Sequence, residues 1–216
     1  MKPRLLDLFC GAGGCSRGYQ ETGFYVVGVD NRPQPHYIGD EFYQADALEF
    51  CATHGREFDV IHASPPCQAY SKARFVHNKP HPALIPETRI ALIKTGKLYI
   101  IENVEGAPLR ACIFLCGTMF GLKTRRHRWF ESNVDLGFAP ASCSCAGGAS
   151  RGELLNYHNT HQRNLYLRRG TKSGADALRE SLGVKWMNFN ESQEAIPPAY
   201  TRYIGGCLMK ALGITK

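Results

Sequence analysis

Arg4-Leu5-Leu6-Asp7-Leu8-Phe9-Cys10-Gly11-Ala12-Gly13-Gly14 is the stretch from which the rest of the chain can be read. The apolar run to Phe9 predicts a short buried strand. The glycines after it let the backbone turn tightly and approach a ligand, and a helix-compatible stretch, Cys15 to Thr22, follows. Taken alone, such a turn is a weaker sign of a nucleotide-like cofactor than of a merely tight connection, so its neighbours decide.

Outward from it, apolar runs recur at Phe24 to Val29, Val60 to Ala63, Tyr99 to Val104 and Ile113 to Cys116, with a further strand at Glu41 to Ala45. Helix-compatible stretches lie between several of them, at Ala45 to His54 and Glu87 to Thr95. Strand and helix in alternation predict an α/β protein with a doubly wound, mostly parallel sheet, whose ligands bind beyond the carboxyl ends of the strands. Asp30 closes the second strand, where a carboxylate can accept hydrogen bonds from ribose hydroxyls. Asp46 follows the third and is placed to accept from an adenine amino group, although either acid alone is more often a helix cap.

Three further motifs fall at strand ends. In Ala63-Ser64-Pro65-Pro66-Cys67-Gln68-Ala69-Tyr70-Ser71 two prolines stiffen the backbone ahead of Cys67 and present its thiol at a strand tip. A nucleophilic thiol needs that placement, whereas an isolated cysteine is usually a small buried hydrophobe. Ile101-Glu102-Asn103-Val104 puts a carboxyl at the mouth of the sheet, able to hold a proton for a ring nitrogen. Arg125-Arg126-His127-Arg128 sets alternate residues on one side if extended, and guanidinium groups suit carbonyl oxygens and phosphates.

The 216 residues suit one domain with at most a small appendage. No apolar run is long enough to span a bilayer, and Met1-Lys2-Pro3-Arg4 lacks the pattern of an export signal, so a soluble cytoplasmic protein is expected. Nine cysteines without framework spacing read as free thiols. Of the net charge of +7, +6 lies in the second part: Lys and Arg against Asp and Glu stand 13 to 12 in residues 1–123 and 13 to 7 in 124–216. Such a surface suits nucleic acid. The expected divisions are 1–138 for the catalytic and cofactor-binding domain, 139–190 for a small irregular insertion, and 191–216 for a segment packing back. The insertion carries Arg163, Arg168, Arg169 and Lys172 among Tyr157, His158, His161 and Tyr166. From Tyr200 to Leu212 a helical pattern returns, with Ile204, Leu208 and Leu212 spaced at four.

Taken together, the glycine turn, Pro-Pro-Cys-Gln, Glu-Asn-Val and the spaced arginines resemble the motif series of the DNA cytosine-5 methyltransferase family. The resemblance covers most of residues 4–131 and resumes around Trp186 to Leu212. It implies the sheet of the S-adenosylmethionine-dependent methyltransferases and a cofactor site at Phe9, Gly11, Gly13, Asp30, Asp46 and Pro66. It implies Cys67 as nucleophile, Glu102 as the acid facing the base, and Arg126 and Arg128 as stabilising arginines. Gln68, Ser71, Arg163, Arg168, Arg169 and Lys172 are then expected at double-stranded DNA, with the chain a monomer that has no membrane and no obligate protein partner. The family's Gln-Arg-x-Arg appears here without its glutamine, and its last motif, Gly-Asn-x-Val-Pro, has Gln193-Glu194-Ala195-Ile196-Pro197-Pro198 as nearest match. With a target-recognition region of 139–190, far smaller than the family's usual one, few base-reading side chains remain and a short or relaxed recognition sequence is expected. So compact a chain suits a bacteriophage or mobile element.

An RNA (tRNA) cytosine-5 methyltransferase shares these catalytic residues, but the extra Cys-Phe-Thr signature of the RNA-acting branch is absent. A non-catalytic DNA-binding relative is disfavoured by intact Cys67, Glu102 and Arg128, and a nicotinamide dehydrogenase by the lack of Gly-x-Gly-x-x-Gly. Cys143-x-Cys145 with His158-x-x-His161 raises a zinc site, but the cysteine spacing is tight and polar DNA-facing loops are preferred, so no metal is expected.

Overall fold

The computed structural model describes residues 1–70, 82–145 and 173–214. Seven strands, β1 (Arg4–Leu8), β2 (Tyr25–Asp30), β3 (Glu41–Gln44), β4 (Val60–Ala63), β5 (Leu98–Asn103), β6 (Ile113–Leu115) and β7 (Arg128–Ser132), form one sheet in the order β3-β2-β1-β4-β5-β7-β6. The first five in that order are parallel, and β7 runs antiparallel to both β5 and β6. Helices α1 (Gly14–Thr22), α2 (Ala47–His54), α3 (Ile85–Thr95), α4 (Ser173–Leu182), α5 (Phe189–Glu194) and α6 (Pro198–Ala211) complete the described elements.

The sequence reading lacked β7. Only a short helical turn, Gly117–Phe120, lies between β6 and β7. A connection without a crossover helix brings the chain back antiparallel, which gives the sheet its mixed edge.

Alternation along the parallel strands builds a core on each face. Leu5, Val26, Val60 and Ile100 point one way, against Cys15 and Tyr19 of α1 and Tyr200, Ile204 and Leu208 of α6. Leu6, Val27, Ile61 and Ile101 point the other way, against Ala47 and Cys51 of α2 and Leu92 of α3. By the same alternation Asp7, His62 and Glu102 fall on the α1 side near the strand ends, all buried. The helix α1 lies so close to α6 that a Cβ on Gly18 would stand 2.1 Å from Thr201 Oγ1 and 2.2 Å from the Pro198 carbonyl.

Part of the stretch 139–190 is regular. Residues 146–172 lie outside the described ones, but α4 and the entry to α5 are helical, and Leu178, Leu182, Val184 and Met187 bury together with Ala12 and Ala195. These apolar side chains thus pack against Ala12 in the glycine turn. A capping box, Asn188 with Glu191, starts α5.

Among the described residues no helix is long and apolar enough to cross a membrane.

Candidate active site

The strand order reverses at β1, with β2 on one side and β4 on the other, so the loops leaving β1 and β4 open at the topological switch point. The first is the glycine turn. Phe9 takes φ 60° and Gly11 φ 50°, the left-handed region that a bulky residue enters only under strain. Gly11 N donates to Asp30 Oδ2 at 3.0 Å, and Arg32 N donates to Asp30 Oδ1 at 3.0 Å. Asp30 thus ties the ends of β1 and β2 together at the turn. A Cβ on Gly11 would meet no atom of the described residues within 4 Å, so among them open space lies directly against the backbone there. Gly13 is covered by Tyr37 and Ile38, and the Ala12 carbonyl accepts from Trp186 Nε1 at 2.9 Å.

Asp46 is the N-cap of α2, with Oδ1 accepting from Leu48 N at 2.9 Å and Glu49 N at 3.0 Å. Its helix-capping role is what the structure displays, and only Oδ2 is left for a ligand.

From β4 the chain passes through buried Pro65 and half-buried Pro66 to half-buried Cys67, with Gln68 exposed. Asn103, at the end of β5, donates from Nδ2 to the Pro65 carbonyl at 2.8 Å and clamps the cysteine loop to the next strand. Glu102 precedes it, buried, with Arg128 Nε 2.9 Å from Oε1. That contact is an ion pair of poor direction: Glu102 Oε1 accepts no hydrogen bond among the described residues. Burial pushes the Glu102 carboxyl above its ordinary value, opposed by the charges of Arg128 and Arg126. Burial likewise raises the Cys67 thiol; Arg128 and Arg126 pull it back, and Glu102 pushes it further up.

Both arginines come from the entry to β7 and are buried. Arg126 Nη2 donates to the Gln193 carbonyl at 2.9 Å, and Tyr200 Oη donates to the Arg126 carbonyl. Arg126 Nε has no hydrogen-bond partner among the described residues. The segment matching the family's last motif thus packs beside the site: a Cβ on Gly14 would lie 2.6 Å from the Ile196 carbonyl.

Beneath the loops runs a polar chain. Ser16 Oγ donates to Asp7 Oδ2 at 2.5 Å, and His62 bridges Tyr19 Oη and Ser64 Oγ at 2.8 Å each. Desolvation drives His62 down to about 3, so it is a neutral buried imidazole.

The structure therefore brings Cys67, Glu102, Arg126 and Arg128 together beside the glycine turn with Asp30. Ser71, Arg163, Arg168, Arg169 and Lys172 lie outside the described residues. Sequence reasoning missed Asn103, Trp186 and Tyr200 as positioning residues. Asn103 stood inside a quoted motif, whereas the partners of Trp186 and Tyr200 are 174 and 74 residues away and leave no local signal.

The mostly parallel seven-stranded sheet with an antiparallel edge has the fold of solved methyltransferases. Residues 3–108, just under half of the chain, match the family model described as C-5 cytosine-specific DNA methylase. It is 27% identical to a probable DNA (cytosine-5)-methyltransferase of Frog virus 3 (isolate Goorha), over 65% of this chain and 75% of that protein. It is 30% identical to the type II methyltransferase M.AquIA of Picosynechococcus sp., over 49% of this chain and 50% of that one. With M.NgoPII of Neisseria gonorrhoeae the identity is 26%, over 48% and 33%. The chain thus spans three quarters of the viral relative and half or less of these bacterial ones. Among solved structures, the Dnmt2 methyltransferase of S. pombe shares the fold at TM-score 0.62 and 12% identity, covering 98% of this chain and 99% of that one. The methyltransferase EhMeth of Entamoeba histolytica does so at 0.58 and 11%, with the same coverage.

Proposed function

We propose that this chain methylates carbon 5 of cytosine in double-stranded DNA, using S-adenosylmethionine, with Cys67 as covalent nucleophile. The observation that carries this reading is the buried Glu102 carboxyl, with an oxygen that accepts no hydrogen bond among the described residues, held by Arg128 in the same site as the Cys67 thiol.

The open space against Gly11, the strained Phe9 and the carboxylate of Asp30 at the sheet's switch point fit a nucleoside-bearing cofactor. Phe9, Gly11, Gly13, Asp30, Pro66 and the free oxygen of Asp46 would hold it. When bound, S-adenosylmethionine supplies an electrophilic methyl group.

Carbon 5 of cytosine is a poor nucleophile, so the protein must push electrons into the ring. The Cys67 sulfur bonds to carbon 6 while Glu102, kept protonated more readily by its burial, donates to ring nitrogen 3. Carbon 5 then has enamine character, and a bound cofactor would supply the methyl group to it and depart as the neutral thioether. Loss of the carbon-5 proton to water forms the carbon 5–carbon 6 double bond and expels Cys67 as thiolate, while the nitrogen-3 proton returns to Glu102. Arg128 and Arg126 hold Glu102 and offset its charge beside the thiolate. A thiol above the ring and an acid in its plane cannot reach a stacked base, which implies extrusion of the cytosine from the duplex.

Residues 139–190 serve in this reading as a reduced target-recognition region, with Gln68, Ser71, Arg163, Arg168, Arg169 and Lys172 toward DNA. Its size favours a short or relaxed recognition sequence; sequencing methylated genomic DNA tests this, and a strict site of six base pairs contradicts it.

The central test is a duplex carrying 5-fluorocytosine, whose fluorine cannot leave. With cofactor present, mass spectrometry should find a covalent adduct on Cys67, lost in Cys67→Ala while cofactor binding persists. Folded, cofactor-saturated protein that forms no adduct overturns the reading.

A further inference from the structure

Cys143 and Cys145 meet two side chains from the sheet. In the pairing of β6 with β7, Leu115 stands opposite Arg128, so one step on Cys116 stands opposite His127. The chain beyond β7 returns to lay Cys143 and Cys145 over this pair. The candidate ligand atoms of Cys116, His127, Cys143 and Cys145 all lie within 4.8 Å of one another. Cys116 Sγ is 3.3 Å from Cys145 Sγ, and Cys143 Sγ is 3.7 Å from His127 Nε2.

We propose that these four residues form a structural zinc site, separate from the methyl-transfer centre. A tetrahedral zinc with bonds of about 2.3 Å to sulfur and about 2.0–2.1 Å to nitrogen sets its ligand atoms roughly 3.5–3.8 Å apart, close to the spacings found. A sulfur–sulfur separation of 3.3 Å is far too long for a disulfide of about 2.05 Å. Three thiolates and one imidazole are a complete structural ligand set, with no position left for substrate. The surroundings also suit it. Thr118 Oγ1 lies 3.4 Å from Cys116 Sγ and 3.7 Å from Cys143 Sγ, and it accepts from Ser144 N at 3.2 Å. The His127 ring is set edge-on against Phe114, centroids 4.8 Å apart. Outer contacts of this kind orient metal ligands.

The proposal departs from two expectations: that no metal is held, and that any zinc would draw on His158 and His161, which lie outside the described residues. Its place gives it a purpose. His127 sits between Arg126 and Arg128, so a metal on its ring anchors the entry to β7 from the side opposite the two arginines. The same ion fastens the chain leaving the sheet where residues 139–190 begin.

The test uses the full chain expressed in zinc-supplemented medium and purified without chelator. Elemental analysis should find about one zinc per chain. Replacing that zinc with cobalt should give thiolate charge-transfer bands and the absorption of a tetrahedral ion. Cys143→Ser with Cys145→Ser should lose the metal, whereas Cys112→Ser, at an exposed cysteine outside the cluster, should keep it. Should the double variant fail to fold, chelation of the unaltered protein supplies the second readout: Cys116, Cys143 and Cys145 become open to alkylation and the melting temperature falls. Folded wild-type protein holding less than about a tenth of an equivalent of metal overturns the proposal. So does a mass lower by two hydrogens, marking a Cys116–Cys145 disulfide in place of the ion. None of these readouts depends on methyl transfer.

Discussion

Cys67 is held above the usual thiol range by its burial, while Arg128 pulls it down and Glu102 pushes it up. The thiolate fraction therefore grows with pH, and iodoacetamide labelling of Cys67 should climb about tenfold per pH unit through neutrality. Peptide mass spectrometry should show the curve shifted to lower pH in Glu102→Gln and to higher pH in Arg128→Gln; displacements in the opposite sense reject this picture of the site. Asp7 carries a different pH signature. Desolvation raises its carboxyl from 3.8 to about 7, and one oxygen has no hydrogen-bond partner among the described residues. Between those two values the folded state keeps a proton that the unfolded chain has lost, so stability falls as pH rises through the interval and the penalty is complete above it. Asp7→Asn should consequently raise the melting temperature more at pH about 8 than at pH about 5. An equal change at both would mean that Asp7 ionises without cost.

Among the elements, the crossing of α1 over α6 tolerates no side chain. Gly18 faces backbone atoms and Thr201 of α6, and Thr201 Oγ1 in turn donates to the Cys15 carbonyl at 2.9 Å. Gly18→Ala should cost about 1–3 kcal/mol by overpacking, roughly 2–12 °C in a thermal melt. Gly206, on the same α6, has no atom of the described residues within 4 Å of its would-be Cβ, so Gly206→Ala should be neutral or stabilise by about 0.5–1 kcal/mol. Equal losses at both positions would reject the close approach of α1 and α6 as the cause. At the sheet edge, Arg89 grips Glu131 of β7 through two contacts of 2.7 Å and also reaches the Pro108 carbonyl. That buried pair joins α3 to β7 and so sets the strand from which Arg126 and Arg128 are hung.

At the level of the whole molecule, charge and fold divide the labour. The parallel half carries the glycine turn and the Cys67 loop, and the excess of positive charge falls after residue 123. If Arg163, Arg168, Arg169 and Lys172 meet phosphates, replacing all four by glutamine should flatten the dependence of log Kd on log salt by about 0.9 per lost contact. An unchanged slope moves the DNA surface elsewhere. The parallel strands, the glycine turn, Cys67 and Glu102 were legible in the sequence because each depends on local chemistry: apolar runs for strands buried on both faces, glycines for left-handed backbone, prolines to present a thiol. Strand β7 was not legible, since its Arg-Trp-Phe-Glu-Ser lacks a continuous apolar run and gains its place by pairing with β5. Nor were the roles of Trp186, Tyr200 and the group Cys116, His127, Cys143 and Cys145, whose members come together only when distant segments meet. Local propensity and short spacing are written in the order of residues; a contact between positions far apart in the chain exists only once the sheet and its covering helices have closed around it.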